Sequence, residues 1–374
     1  MADNNENKVL NVPHLRCPEF SGEWNKYTIN DLATVVGGGT PDTTVKSYWG
    51  GDIQWFTPSE IGKNKYVDFS KRTITRDGLD NSSAKLLPLH TILLSSRATV
   101  GECSIASNEC TTNQGFQSLI AKQCNIDFLY YLIQTKKKDL IRNACGSTFL
   151  EISANEIRKI KVAVPVQNEQ EQIAKLLSLI DERIATQNKI IEKLQSLIKG
   201  LAAQLTQSGT PNIRLCDCLE CHSSTLQENC VSVTGSYPVY GATGLIGYTN
   251  NYAYNGESIL IVKDGSGVGS LSYVNDHFSV IGTLNYLTAK ENYSILYLYY
   301  ALMAFNFTPY ITGMAIPHIY FKDYGKAKLF YPSIEKRIRI ASLLHNIEQK
   351  LVVEQNLVIS LSAQKSYLLR MLFI

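Results

Sequence analysis

Apolar residues recur at alternating steps of four and three through Pro165–Gln207. Starting from Ile173, nine of the ten positions on this seam are aliphatic: Ile173, Leu177, Ile180, Ile184, Gln187, Ile191, Leu194, Ile198, Leu201 and Leu205. A seam of this length and spacing predicts a long helix that pairs with another helix in a coiled coil.

The same seam returns 167 residues later, where its positions are Ile340, Leu344, Ile347, Leu351, Glu354, Val358, Leu361, Lys365, Leu368 and Leu372. Glu354 falls at the step that Gln187 occupies in the first seam, and Pro332 precedes this seam as Pro165 precedes the first. Two helices of one design, each closing one half of the chain, predict a tandem repeat.

The segments before the two helices repeat as well. Thr91–Ser95 predicts a strand whose counterpart is Ser258–Val262, and Asp127–Arg142 predicts a helix whose counterpart begins at Leu296. Asn113–Ala121 predicts a further strand. The resulting division is an N-terminal arm at 1–19, a domain at 20–164, a helix at 165–207, a linker at 208–210, a second domain at 211–331 and a helix at 332–374.

Two aromatic segments are predicted to be structured loops. Tyr48–Pro58 contains two tryptophans among many turn residues, and Tyr237–Gly241 contains a proline between two tyrosines. Tyrosine is concentrated in the second half, because 15 of the 21 lie between residues 211 and 331. Tyrosine combines a rigid apolar ring with a polar tip, which suits a wet interface such as one with DNA.

Bulk composition narrows the class of protein. The 374 residues suffice for two domains and two helices, and the chain has no run of about 20 apolar residues. Its first residues are polar, so we expect a cytoplasmic protein. Nine scattered cysteines indicate buried thiols in a reducing compartment.

Charge alone does not indicate nucleic-acid binding. Residues 20–164 carry 17 basic and 14 acidic side chains, residues 211–331 carry 6 and 8, and residues 332–374 carry 6 and 3. Any DNA binding therefore depends on individually placed contacts and on partners that share the phosphate contacts.

Motifs for catalysis are weak or incomplete. Gly265–Ser270 resembles a phosphate or S-adenosylmethionine loop, but a strand follows it instead of a helix, which favours a hairpin turn. A cysteine cluster could bind zinc, but two of its members occupy scaffold positions that have no ligand in the other repeat, and the question stays open: Cys216, Cys218, Cys221, His222 and Cys230. The chain has no Pro-Pro pair for an amino-methyltransferase motif, and Glu60 and Lys63 are one residue too far apart for a nuclease motif. We expect no catalytic site.

Four segments together resemble the specificity (S) subunits of type I restriction-modification enzymes: Val12–Trp24, Gly38–Pro41, Tyr48–Trp55 and Tyr237–Tyr248. The resemblance covers essentially the whole chain, and it departs from the family at Cys17, where an aromatic residue is usual. It implies two target recognition domains, each reading one half of a split DNA site. It also implies two methyltransferase (M) subunits docked on the helices, restriction (R) subunits bound through the complex, and S-adenosylmethionine on the M subunits only.

The expected fold is α+β, with two repeated α/β target recognition domains separated by two long helices. We expect the helices to form an antiparallel coiled coil with an approximate two-fold relation between the halves, which places Gln187 and Glu354 close together near the middle. Because the loops differ between the halves, the two half-sites should differ. The alternative function is a coiled-coil scaffold or adaptor that binds proteins and not DNA.

The candidate DNA contacts lie in the loops that differ between the repeats. Lysine and arginine would meet phosphates, and the other side chains would meet base edges. The candidates in the first domain are Lys46, Tyr48, Trp49, Gln54, Lys63, Lys65, Arg97, Ser147 and Thr148. The candidates in the second are Tyr237, Tyr240, Lys263, Ser266, His318 and Tyr320.

Overall fold

The computed structural model describes residues 11–146 and 149–374, and each half of the chain begins with a short strand and helix and ends in a long helix. The first half contains β1 (Asn25–Thr28), α1 (Ile29–Leu32), β2 (Ala33–Gly37), β3 (Trp49–Phe56), β4 (Tyr66–Val67), β5 (Arg72–Ile74), α2 (Arg76–Asp80), β6 (Ile92–Leu94), β7 (Cys103–Ala106), β8 (Cys110–Thr112), β9 (Gln117–Ala121), α3 (Ile126–Thr135), α4 (Lys137–Arg142), α5 (Ala154–Lys159), β10 (Lys161–Val164) and α6 (Gln167–Thr206).

The second half contains β11 (Ile213–Arg214), α7 (Leu215–Cys218), β12 (Leu219–Ser223), β13 (Tyr237–Gly241), β14 (Gly244–Thr249), β15 (Tyr254–Val262), β16 (Leu271–Val280), β17 (Leu284–Ala289), α8 (Ile295–Met303), α9 (Phe321–Tyr324), β18 (Lys328–Leu329) and α10 (Ile334–Leu372). The two long helices, α6 and α10, have 40 and 39 residues. Each begins and ends within two residues of the bounds predicted from the sequence.

The chain forms two compact units that divide each long helix near its middle. The first comprises Met1–Thr186 and Leu357–Ile374, and the second comprises Gln187–Asn356. Each unit therefore combines one globular region with half of α6 and half of α10, whereas the division expected from the sequence keeps each helix whole.

The central sheets of the two units share the order of their first five strands, and the second sheet has a sixth. The order is β2-β9-β6-β7-β4 in the first unit and β12-β17-β15-β16-β13-β14 in the second. In both, the fifth strand pairs in parallel with the fourth, β4 with β7 and β13 with β16. Short antiparallel pairs, β1 with β10 and β11 with β18, close each globular region beside its long helix. The first unit adds a separate three-stranded sheet, β5-β3-β8.

The cores explain why these segments fold together. In the first unit, buried Phe128, Tyr131 and Leu132 of α3 pack in one cluster with Leu177 of α6 and Leu372 of α10. In the second unit, Tyr297 and Tyr300 of α8 pack with Ala202 of α6 and Leu344 of α10. Segments of both long helices therefore bury apolar side chains against a helix that covers the sheet, a contact that the seam pattern alone does not predict.

Within each unit the two long helices run antiparallel. In the first unit Leu15 donates to the Met371 carbonyl while the adjacent Arg16 binds Glu169, and further along the helices Lys365 binds Asp181. In the second unit Lys336 donates to Ser208, and Leu344 lies in one cluster with Leu201 and Ala202. Residue numbers rise on one helix as they fall on the other.

Every position of the two predicted seams is buried or half-buried. Gln187 is 5% exposed, and its Oε1 has no hydrogen-bond partner among the described residues, whereas Glu354 pairs with Lys350 of its own helix at 3.0 Å. In the described part of the chain no hydrogen bond joins Gln187 to Glu354, so the polar steps do not fix the register through a direct bond.

Two segments predicted to be loops are strands, and one predicted helix is interrupted. β3 occupies Trp49–Phe56, because Trp55 and Phe56 are buried while the glycines and aspartate sit at a bulge between Trp49 and Ile53. β13 occupies Tyr237–Gly241; Pro238 fits there because pairing with β16 begins only at Val239. The helix expected at Asp127–Arg142 is divided into α3 and α4 at Lys136.

Candidate nucleic-acid interface

Each unit places two loops side by side, joined by backbone hydrogen bonds, and the first of them follows an interior strand of the central sheet, β6 or β15. In the first unit, Ala98 N–H donates to the Leu150 carbonyl at 3.0 Å and Ile152 N–H donates to the Ser96 carbonyl at 2.9 Å. In the second unit, Gly265 donates to Pro317 at 2.9 Å and Ile319 to Lys263 at 2.9 Å. These pairs are 167 residues apart, so the loop pair belongs to the repeated frame.

The second loop of each pair is a hairpin closed at a glycine. Cys145 donates to the Glu151 carbonyl at 2.9 Å, as Thr312 does to the His318 carbonyl. Gly146 and Gly313 have φ of 133° and 90°, and an added Cβ would lie 2.1 Å and 2.3 Å from a carbonyl oxygen of the same hairpin. A side chain does not fit either position.

Arg97 lies on this loop pair in the first unit. Its guanidinium is exposed, 3.8 Å from Glu151 and 6.0 Å from the ring centroid of Phe149, which is 58% exposed. Ser147 and Thr148, predicted for the same hairpin, lie outside the described residues. Arg97 is therefore accessible to a ligand, but a phosphate would compete with Glu151 for it.

A chain of contacts extends this surface to an aromatic platform. Ser96 N–H donates to the Gly115 carbonyl, and Gln114 hydrogen-bonds Thr40 in the Gly38–Pro41 loop. The same loop carries on to Asp42, whose carbonyl accepts the indole N–H of Trp49 at 3.1 Å. Trp49 meets Trp55 edge-to-face with 5.0 Å between ring centroids.

The remaining candidates of the first unit have different surroundings. Lys46 and Lys63 are exposed, and Tyr48 is half-buried where its carbonyl accepts from Thr75. Gln54 is half-buried, and its side-chain carbonyl accepts from Ser70 N–H at 2.7 Å and from the Ser70 hydroxyl at 3.0 Å. A base would have to displace Ser70 to reach that oxygen, which makes Gln54 a supporting residue in this state.

Lys65, predicted to meet a phosphate, is paired and mostly buried in the first unit. Its ammonium is 2.7 Å from Asp127 and donates to Ser178 of α6 at 2.6 Å, and its side chain is only 8% exposed. It also lies 4.9 Å from the ring centroid of Tyr131. The charge of Lys65 anchors the globular region to the long helix in this structure, and its predicted DNA contact stays a prediction.

The loop pair of the second unit gathers four candidates. Lys263 lies 3.4 Å from the neighbouring Asp264 carboxylate, and Ser266 is exposed at the turn between β15 and β16. His318 packs edge-on against Tyr320 at 5.0 Å, and Tyr320 is 48% exposed beneath the Lys322 ammonium. This surface holds both signs of charge and an aromatic platform.

Tyr237 and Tyr240 lie on β13, at the far side of the same sheet. Tyr237 contacts Tyr252 and His277 at centroid distances of 4.9 Å and 5.7 Å. Tyr240 is half-buried against Phe278, and burial together with nearby Asp276 raises the pKa of its hydroxyl. Ile281 N–H donates to the Tyr240 carbonyl, and Lys263 N–H donates to the Thr283 carbonyl. Because Ile281 and Thr283 are two residues apart, this segment connects β13 to the loop pair.

The glycine-rich and cysteine-rich segments both lie in the second unit. Gly265–Ser270 is the turn of the β15–β16 hairpin, as predicted. Burial raises the pKa of Cys218 to about 12 and that of Cys221 to about 11, so both thiols remain protonated at neutral pH. Among the described residues, no three His, Cys, Asp or Glu side chains converge to hold a metal ion. In the same part of the chain, no helix is long and apolar enough to cross a membrane.

A family model described as "Type I restriction modification DNA specificity domain" matches residues 21–196 and again residues 213–361. The chain belongs to this family. Its recognition as a type I specificity subunit from the sequence is thereby confirmed.

Relatives of the specificity subunit match it to different extents. The MjaIX specificity subunit of Methanocaldococcus jannaschii is 39% identical over 183 residues, which make up 46% of this chain and 42% of that protein. The EcoprrI specificity subunit of Escherichia coli is 25% identical over 361 residues, covering 87% of each protein. The crystal structure of the S subunit of a type I system from M. genitalium shares the fold, with a TM-score of 0.65 at 19% identity over 97% of this chain and 99% of that one.

Three features of this specificity subunit escape a reading of its sequence. Arg72 stacks on Trp49, with its guanidinium carbon 3.6 Å from the ring centroid. Glu169, 1% exposed, holds both Arg16 and the indole N–H of Trp24, which docks the N-terminal arm on α6. Gly313 was also not predicted, although it lies 167 residues after Gly146, which is the spacing of the seams.

Proposed function

We propose that this chain is the non-catalytic, DNA-reading subunit of a type I restriction-modification complex. It reads a bipartite, asymmetric DNA target with its two units, docks two methyltransferase (M) subunits, and recruits the restriction (R) subunits through them. S-adenosylmethionine binds to the M subunits in this scheme.

The observation that carries the proposal is the double match to a DNA specificity domain, once in each half of the chain. One frame present twice, with the same loop pair in each copy, suits a protein that presents two reading surfaces. The surfaces differ in chemistry: the first offers Trp49 with arginines, and the second offers tyrosines with His318. Two different surfaces favour two different half-sites.

The two long helices support the bipartite target. Each is about 60 Å long at 1.5 Å per residue, comparable to nearly two turns of B-DNA. Their exposed outer faces carry apolar side chains such as Leu176, Leu343 and Val353, which are 42%, 46% and 63% exposed. Exposed apolar side chains on a helix suit docking of a partner protein.

The test is selection of DNA from a random-sequence duplex pool by the full chain together with its M subunits. We expect two enriched half-sites of different sequence, separated by a gap of constant length and variable sequence. Enrichment of one continuous site would contradict the bipartite reading. No enrichment by a complex that is properly assembled would favour the adaptor function instead.

The absence of catalysis is tested separately. The purified chain with S-adenosylmethionine should transfer no methyl group to the selected DNA, and addition of the M subunits should restore transfer. Methylation by the chain alone, in a preparation free of M subunits by mass spectrometry, would refute the non-catalytic assignment.

A further inference from the structure

The exposed residue Arg72 places its guanidinium over a tryptophan ring of the first unit. Its guanidinium carbon lies 3.6 Å from the ring centroid of Trp49 and 5.4 Å from that of Trp55. Trp55 is its direct cross-strand neighbour, because β3 and β5 pair Trp55 with Arg72. A guanidinium this close to the face of an indole is attracted to the ring, and that contact restricts where its N–H donors can lie.

The platform beneath Arg72 is built by the backbone. The β3 register shifts between Trp49 and Ile53, which returns Trp49 to the side of Ile74 in β5. Gly51 permits that shift, since an added Cβ would lie 2.6 Å from the Ile74 carbonyl oxygen. The indole N–H groups of Trp49 and Trp55 then donate to Asp42 and Gly39 at 3.1 Å and 3.0 Å, which fixes both rings.

The donors of Arg72 are unused, unlike those of its neighbours. Within the described residues, the guanidinium of Arg72 has no hydrogen bond and no ion pair, although the residue is exposed. The other arginines of 20–164 each have a polar partner: Arg76 with Asp80, Arg97 with Glu151, Arg142 with Asp139, and Arg158 with Asn155 and the Val35 carbonyl. The fork of Arg72 is oriented in advance and free to bind.

We propose that Arg72 reads a guanine in the half-site bound by the first unit, through the O6 and N7 acceptors in the major groove. This inference rests on the proposed function and adds a residue and a base to it. A planar fork of fixed orientation matches two acceptors at fixed spacing on one base edge. A phosphate contact would not require the fixed plane, since a flexible lysine satisfies it as well.

The experiment uses the full chain with its M subunits and the same random-sequence DNA pool. Base preferences and the salt dependence of binding are compared for the native chain, Arg72→Ala, Arg72→Lys and Arg76→Ala. Arg76→Ala is the matched control, because it removes an exposed arginine four residues away that is already paired with Asp80. A thermal melt of each variant checks that the platform still folds.

We expect Arg72→Ala and Arg72→Lys to lose preference for guanine at one position of one half-site, by roughly tenfold or more, and to keep the other half-site unchanged. Arg72→Lys retains the charge and should retain the salt dependence, and Arg76→Ala should keep every base preference. Equal weakening on all sequences with recovery by Arg72→Lys would identify a phosphate contact and overturn the inference. Unchanged preferences would also overturn it, whereas a native complex without any preference would refute the proposed function itself.

Discussion

Asp181 and Glu348 occupy the same step of the two long helices, and their surroundings differ. Asp181 accepts a hydrogen bond from Tyr131 at 2.7 Å and forms an ion pair with Lys365 at 2.7 Å. Glu348 accepts hydrogen bonds from Tyr299 and Tyr300 at 2.9 Å and 2.7 Å, and no ion pair to it occurs in the described part of the chain. Both units anchor a tyrosine helix on a carboxylate, but only the first neutralises that carboxylate with a cation.

The reading surfaces differ in a similar way while the frame stays constant. The first unit adds the β5-β3-β8 sheet and its tryptophan platform, and the second extends its main sheet with the β13–β14 hairpin. The backbone hydrogen bonds of the loop pair are the same in both. The comparison teaches that the frame is specified by backbone pairing and buried seams, and that the candidate contact surface is free to change beside it.

Truncating the buried seam leucine of either unit gives the largest expected effect. Leu177 and Leu344 are both fully buried and 167 residues apart, so Leu177→Ala and Leu344→Ala should each lower the free energy of unfolding by about 2–5 kcal/mol. Leu176→Ala and Leu343→Ala are matched controls at exposed neighbours and should change it by less than about 0.5 kcal/mol.

The probe for this comparison is provided by the chain itself. All three tryptophans, Trp24, Trp49 and Trp55, lie in the first unit, so tryptophan fluorescence reports its unfolding while circular dichroism reports both units. If the units unfold separately, Leu344→Ala should shift the dichroism transition and spare the fluorescence transition. A common shift in both signals would instead show that the two units unfold as one cooperative body.

Neutralising the helix carboxylates should produce the next largest loss in the free energy of unfolding, and the loss should differ between the two units. Asp181→Asn leaves Lys365 without its anion and should cost about 1–3 kcal/mol in urea unfolding. Glu348→Gln breaks no ion pair and should cost less, with little dependence on salt. The double variant Asp181→Asn with Lys365→Met should recover part of the loss, and an equal loss from both single variants would contradict the assigned asymmetry.

The sequence predicts what is carried by local periodicity. The seams through Leu177 and Leu344 follow from a repeated spacing, and the helix bounds and the repeat follow from the same pattern. Secondary structure that depends on distant pairing is not predicted: β3 contains Gly50, Gly51 and Asp52, which read as a turn, and only pairing with β5 and β8 makes it a strand.

Side-chain roles are less predictable still. Lys65 is an ordinary surface lysine in the sequence, and its burial against Asp127 and Ser178 depends on residues 62 and 113 positions away. Arg72 stands beside another basic residue, Lys71, and nothing local indicates that Trp49 returns to stack on it. Such contacts are set by tertiary packing. Charged loop residues chosen from the sequence therefore include some that hold the fold together and some whose charge is available to a ligand.

The smallest expected effect distinguishes the loop pairs on DNA. Arg97→Ala and Lys263→Ala each remove one basic side chain from the loop pair of one unit. If that side chain meets a phosphate, its loss should lower the affinity for all sequences and reduce the slope of log affinity against log salt by about 1. Lys322→Ala, another exposed cation of the second unit, provides the comparison. Lys263 lies 3.4 Å from the neighbouring Asp264, and Arg97 lies 3.8 Å from Glu151. Binding of a phosphate must first break that ion pair, so the net gain in binding free energy from each cation is small. Glu151→Gln and Asp264→Asn should therefore strengthen binding slightly, each through its own unit. Unchanged affinity in both charge-removing variants, measured by titration of the assembled complex on selected and random DNA, would place the phosphate contacts elsewhere on the two surfaces.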